Sequence, residues 1–131
     1  MDATPLDVPD AELRVLQTLW SQGTATIRQL TDILYPQGTA GQYSTVQKLL
    51  ERLEEKDCVR RDRTTWPHRF TATVDRETLI GWRLRTTAEK LCGGSLTPLL
   101  LHLLQADEFS PEDRRELRAF LEQLKGKSAP E

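Results

Sequence analysis

The sequence has few of the parts from which active sites are built. Its two cysteines, Cys58 and Cys92, have no CxxC spacing and no histidine pair nearby. That excludes a zinc ribbon or a dithiol motif and leaves two reduced thiols of a cytosolic protein. Its two histidines, His68 and His102, fall in different elements without a carboxylate or cysteine partner, and His102 merely interrupts a leucine run. "CGGS" is too short for a phosphate loop and follows a helix rather than a strand. With no nucleophile–base constellation, the sequence predicts no enzyme, no cofactor and no metal site. Long apolar runs are missing as well. Nothing approaches the ~20 residues of a bilayer span, and the opening "MDATPLDVPD" has neither the basic nor the apolar region of a signal peptide. A soluble cytoplasmic chain with no membrane partner is expected.

A basic surplus is also absent. Lys and Arg number 18 against 20 Asp and Glu, a net charge of −2 over 131 residues, where a nucleic-acid binder usually carries a positive balance. Location changes that reading. Arg60, Arg61, Arg63 and Arg69 cluster with Asp62 as their one opposing charge, while the stretch 107–131 is acid-rich. Local field, not net charge, decides where a phosphate lands.

What is present is helical punctuation. Asp10, after Pro9, is the expected N-cap of a first helix carrying Leu13, Leu16, Leu19 and Trp20, which Gly23 stops. Thr26 followed by Gln29 makes a capping box for a short second helix. That helix turns Ile27, Leu30, Ile33 and Leu34 inward and closes at Pro36. "PQGTAG" reads as a loop. A third helix, over about 42–56, buries Val46, Leu49, Leu50 and Leu53 and carries Ser44, Thr45, Gln47, Lys48, Glu51, Arg52 and Glu55 on its other side. Two short strands, 58–63 and 69–74, bury Val59, Phe70, Ala72 and Val74; their connection, "TTWPH", is longer than a tight two-residue turn. Helix, helix, helix, hairpin is the order of a winged helix-turn-helix.

Beyond Val74 the pattern changes. Asp75 caps a helix with Ile80, Leu84, Ala88 and Leu91 in register, broken by "CGGS". Thr97-Pro98 and Ser110-Pro111 each look like an N-cap followed by proline at the first helical position. Between them "PLLLHLLQ" is apolar nearly all round, the last helix carries Leu117, Phe120, Leu121 and Leu124, and "KGKSAPE" reads as a frayed end. The fold class is therefore mainly α. A winged helix-turn-helix DNA-binding domain (three helices plus a β-hairpin wing) occupies 1–74, and a three-helix dimerisation domain occupies 75–131. A helix apolar on every side must be covered on every side, and two amphipathic neighbours leave surplus surface. That surplus points to a second copy of the chain, held through Leu84, Leu91, Leu99, Leu100, Leu103, Leu104, Leu117, Phe120, Leu121 and Leu124. At about 25 cal/mol per Å² of apolar area, such an interface is worth several kcal/mol. The alternative is a three-helix cap folded back on the winged domain.

In the DNA-reading interpretation, the first turns of the third helix enter the major groove. Tyr43 stacks on sugar or a thymine methyl, Ser44 and Thr45 bond phosphate or base edges, and Gln47 pairs with adenine. Lys48 and Arg52 anchor phosphates, and so do Arg61 and Arg63 on one strand and Arg69 across the hairpin. Glu51, Glu54 and Glu55 would repel DNA, which confines contact to the first two turns. Trp66, at the hairpin tip, either wedges into a minor groove or packs on Pro67. A bland reading competes, since polar residues on an amphipathic helix are most often a solvated face. The competing function is a winged-helix module that binds protein and never touches DNA.

Several stretches resemble the penicillinase-repressor family of transcriptional regulators, the BlaI, MecI and CopY type. They are "DAELRVLQTLW", "ATIRQL", "YSTVQKLLERLEEK" with the basic hairpin after it, and "GGSLTPLLLHLLQADEFSPEDRRELRAFLEQL". In order and at family spacing they cover nearly all of the chain from Asp10 to Leu124. The resemblance implies a homodimeric winged-helix repressor that binds a palindromic double-stranded operator. The family's helix contacts fall on Tyr43, Ser44, Thr45, Lys48 and Arg52, and its dimer helices on 76–91 and 97–124. In antibiotic-resistance members a sensor-linked protease cuts the leucine-rich helix between Asn and Phe; the matching bond here is His102–Leu103. Copper-responsive members carry a cysteine-rich tail, and this chain has "KGKSAPE" instead. Where the family ends its third helix with Lys-Gly, this sequence has Lys56-Asp57, so Asp57 must take a left-handed conformation at modest cost.

Overall fold

The first helix forms where the sequence places it, and its ends explain themselves. In the computed structural model, which describes residues 7–38, 40–106 and 109–127, α1 spans Asp10–Gln22. Asp10 is its first residue rather than its cap. Pro9 holds the cap position and its carbonyl accepts from the Leu13 amide, so the acid serves the helix through its charge in the first turn. Gly23, at φ 87°, turns the chain out and its amide satisfies the Leu19 carbonyl.

Two residues of strand, β1 (Thr24–Ala25), then lead into α2 (Ile27–Leu34). Both halves of the capping box are made: the Gln29 amide donates to Thr26 Oγ1 (3.1 Å) and the Thr26 amide donates to Gln29 Oε1 (2.9 Å). The third helix, α3 (Ala40–Glu55), begins two residues earlier than its pattern suggests and ends in a Schellman motif. The Cys58 amide reaches the Leu53 carbonyl (2.8 Å) and the Asp57 amide the Glu54 carbonyl (3.0 Å), with Asp57 at φ 62°. The left-handed conformation expected of Asp57 is adopted.

The hairpin consists of β2 (Val59–Asp62) and β3 (Arg69–Ala72), antiparallel, with Arg61 opposite Phe70 and Asp62 opposite Arg69. β1 pairs with the far side of β3, giving the order β1-β3-β2. The sequence reading lacks this third strand, because two residues between a glycine stop and a helix cap carry no alternation to detect. Asp62 accepts from both the amide and the hydroxyl of Thr64 at the start of the wing turn, which holds its carboxyl below the ordinary carboxylate range; His68 and Arg60 add to the effect.

One core joins these elements. Val15, Leu16, Leu19, Leu30, Val46, Leu50, Leu53 and Phe70 are fully buried, together with Val8 from the segment preceding α1. Buried Glu12 is matched by Lys56, whose ammonium also donates to the Asp7 carbonyl (2.7 Å), so a charge inside the domain has its partner. Burial pushes the Cys58 thiol up from its usual value, outweighing the opposing pull of Lys56. The chain divides into two compact units, residues 1–86 and 87–131.

The helix α4 (Arg76–Cys92) is shared between the units. Asp75 caps it by accepting from the Thr78 amide (2.8 Å). In its first turns Leu79 is buried in the winged-domain core, with Trp82 packed beside it, and Trp20 Nε1 donates to the Val74 carbonyl (2.8 Å). Gly93 and Gly94, both at positive φ, end α4. The second unit continues with α5 (Thr97–Gln105) and α6 (Pro111–Lys127). Thr97 lies inside α5 rather than capping it, and its amide turns to Ser95 Oγ (3.3 Å). Ser110 does cap α6: the Asp113 amide donates to its hydroxyl (3.0 Å), and the Ser110 amide donates to the Asp113 carboxylate (3.4 Å). Of the segment 125–131 read as frayed, residues 128–131 lie outside the described residues, as do Asp107 and Glu108 in the acid-rich stretch. The fold is a mainly helical winged helix with a helical C-terminal region.

Candidate nucleic-acid interface

α3 is amphipathic because Val46, Leu49, Leu50 and Leu53 return to one side at helical spacing, and burying them fixes what the opposite side presents. Ser44, Thr45, Gln47, Lys48 and Arg52 are all exposed there. Thr45 Oγ1 donates to the Gly41 carbonyl of its own helix (3.1 Å), which leaves the oxygen free to accept. Lys48 and Arg52 make no ion pair among the described residues. Tyr43 is half-buried, with the Arg28 guanidinium 5.3 Å from its ring centre. Arg28, on α2, adds a positive charge beside the first turns of α3 that the sequence analysis passed over. Its place two residues after the Thr26 cap, on the polar side of α2, was the available signal.

The wing faces α3 across a groove of about 240 Å³, lined among others by Arg28, Tyr43, Gln47, Arg61, Trp66 and His68. Trp66 is 86 % exposed and does not pack away; its ring meets His68 edge-on, 5.1 Å between centres. The predicted wing arginines are held in three different ways. Arg61 is drawn inward, its guanidinium 5.0 Å over the Phe70 ring and 3.4 Å from Glu54 Oε1. Its Nε is buried with no acceptor among the described residues. Arg63 lies further out and bonds Glu54 Oε2 at 3.2 Å. Arg69 turns to the other edge, its Nε donating to Thr24 Oγ1 (3.3 Å) across β1 and β3. The fold thus brings Tyr43, Gln47 and Arg61 to one groove and leaves Arg69 out of it.

Most of the residues expected at a second copy's surface are exposed among the described residues. α5 has no buried residue. Leu84, Leu91, Leu100, Leu103, Leu104, Phe120, Leu121 and Leu124 are exposed, Leu91 to 77 %, and only Leu99 and Leu117 are half-buried. His102 and Leu103, the bond matched to the family's cut, stand exposed within α5. Exposed leucines spread along α5 suit an interaction site. Among the described residues no group of three His, Cys, Asp or Glu is placed to hold a metal ion, and no helix is long and apolar enough to cross a membrane.

Comparison with known proteins agrees with this geometry. The family model described as penicillinase repressor matches residues 8–123. The penicillinase repressor of Bacillus licheniformis is 24 % identical over 120 residues, spanning 92 % of this chain and 93 % of that protein. An "uncharacterized 16.5 kDa protein in ptsI 3′ region" of Latilactobacillus sakei is 28 % identical over 125 residues, spanning 95 % of this chain and 84 % of its own length.

Proposed function

Because the chain belongs to the penicillinase-repressor family, a family of transcriptional repressors, we propose that it works as a homodimer that binds a palindromic DNA operator and blocks transcription. In this reading the α3 side chains Tyr43, Ser44, Thr45 and Gln47 meet base edges and sugar, while Lys48, Arg52, Arg61, Arg63 and Arg69 serve the phosphates. The observation that carries it is the exposed polar face of α3, where Lys48 and Arg52 make no ion pair among the described residues, set across a groove from a basic wing. The apolar faces of α4, α5 and α6 supply the dimer, and two readers at fixed separation demand a two-fold symmetric site. The protein then acts in the cytoplasm, beside the DNA. A sensor-linked protease cutting at His102–Leu103 would sever α5 from within and release the operator by weakening the dimer.

The test is titration of labelled duplex at increasing salt. Binding falls steeply, with a slope of about −0.9 per phosphate neutralised. An affinity unchanged by salt contradicts the reading. One observation favours a second reading, a winged module that binds only protein: Glu54 already pairs with Arg61 and Arg63. Charge reversal at Lys48, Arg61 and Arg63 separates the two. Duplex binding collapses in the first reading, and a protein partner held through the C-terminal helices is kept in the second.

A further inference from the structure

Glu54 sits on the last turn of α3, close to the surface on which the proposed function relies. A carboxylate at the edge of a phosphate-binding surface is unfavourable in itself, yet this one is only 29 % exposed and has one oxygen on each of two wing arginines: Oε1 3.4 Å from Arg61 Nη2, Oε2 3.2 Å from Arg63 Nη2. Its neighbour Glu55 is exposed and makes no ion pair among the described residues. Glu54 therefore does two things that Glu55 does not. It ties β2 to the end of α3 through Arg61, and it sets a carboxylate against both guanidiniums.

The geometry points to Glu54 as a specificity-determining residue: its carboxylate restrains Arg61 and Arg63 so that their phosphate contacts add less to sequence-independent binding than two free guanidiniums would, and more of the discrimination falls to α3. This inference rests on the proposed DNA-binding function. Its logic is electrostatic. Non-specific affinity grows with each phosphate neutralised, whereas base contacts from Ser44, Thr45 and Gln47 do not depend on wing charge. Freeing the two guanidiniums raises binding to any duplex, and raises it most where base contacts contribute nothing.

The experiment compares wild type, Glu54→Gln and Glu55→Gln on two probes: a duplex recovered by selection from random DNA, and a same-length duplex of shuffled sequence. The two substitutions remove the same charge one residue apart. Glu54→Gln is expected to bind the shuffled duplex about fivefold more tightly per phosphate gained, with its salt slope steeper by about 0.9 for each. The ratio of selected to shuffled affinity falls, and Glu55→Gln changes neither quantity appreciably. Equal effects of both substitutions, or an unchanged ratio in Glu54→Gln, overturn the inference while leaving DNA binding standing. Should wild type bind neither probe, the proposed function itself fails and the inference with it.

Discussion

At the scale of single residues, charge and backbone geometry give opposite kinds of leverage. Lys48 and Arg52 stand exposed on α3 with no ion pair among the described residues, so Lys48→Ala and Arg52→Ala are each expected to make the salt slope of duplex binding shallower by about 0.9, as one phosphate contact is lost. Unchanged slopes in both would place the phosphates elsewhere. Lys56 has the reverse role. It neutralises Glu12 inside the domain, and Lys56→Ala should cost about 3 kcal/mol by stranding that carboxylate, measurable by urea unfolding. Asp57 holds φ 62° at the end of α3, where glycine sits without a Cβ penalty. Asp57→Gly is expected to raise stability by about 0.5 kcal/mol, read as a higher melting temperature; a lower one would mean the Asp side chain itself supports the turn. The left-handed position of Asp57 was legible only through the family resemblance, whose glycine at that place marks it. The inward pull on Arg61 was not. Alternation along β2 puts Arg61 on the same face as Val59, but only the fold reveals Phe70 and Glu54 waiting there.

Elements were legible where local chemistry decides them. The Thr26–Gln29 box, the Gly23 stop, the Asp75 and Ser110 caps and the apolar side of α3 all depend on residues within a few positions of one another. Thr26→Ala should lower stability by about 1 kcal/mol, because it removes one bond of the box at a buried cap. β1 and the burial of Val8 and Leu79 depend on partners far along the chain, and no local pattern announces them. The Asp75 cap also carries a pH signature. Bonds from the Thr78 hydroxyl and amide hold its carboxyl below the ordinary range. A depressed folded-state value stabilises the fold above the unfolded value of about 4, and the contribution is lost as pH falls through the lower folded value. Asp75→Asn should therefore flatten the acid limb of the stability profile while leaving the shape near neutral pH unchanged; an acid limb identical to wild type would mean the cap is not ionised in the fold.

At the scale of the whole molecule, few of the described residues of the second unit are buried. Leucines spread around α5 and the Phe120, Leu121 and Leu124 side of α6 remain exposed, an arrangement suited to the apolar interfaces of obligate dimers. Since α5 contributes no buried residue to its own chain, Leu100→Asp with Leu104→Asp should yield monomers in sedimentation while the helical circular-dichroism signal of the winged domain persists. Operator affinity would then drop by orders of magnitude, because paired readers act with a high effective concentration on one duplex. The most direct measurement of the whole account is selection of bound duplexes from random DNA by the wild-type protein. An inverted repeat, with half-sites spaced about one helical turn centre to centre, is the predicted outcome; enrichment of a single unrepeated site, or of no sequence at all, would contradict it.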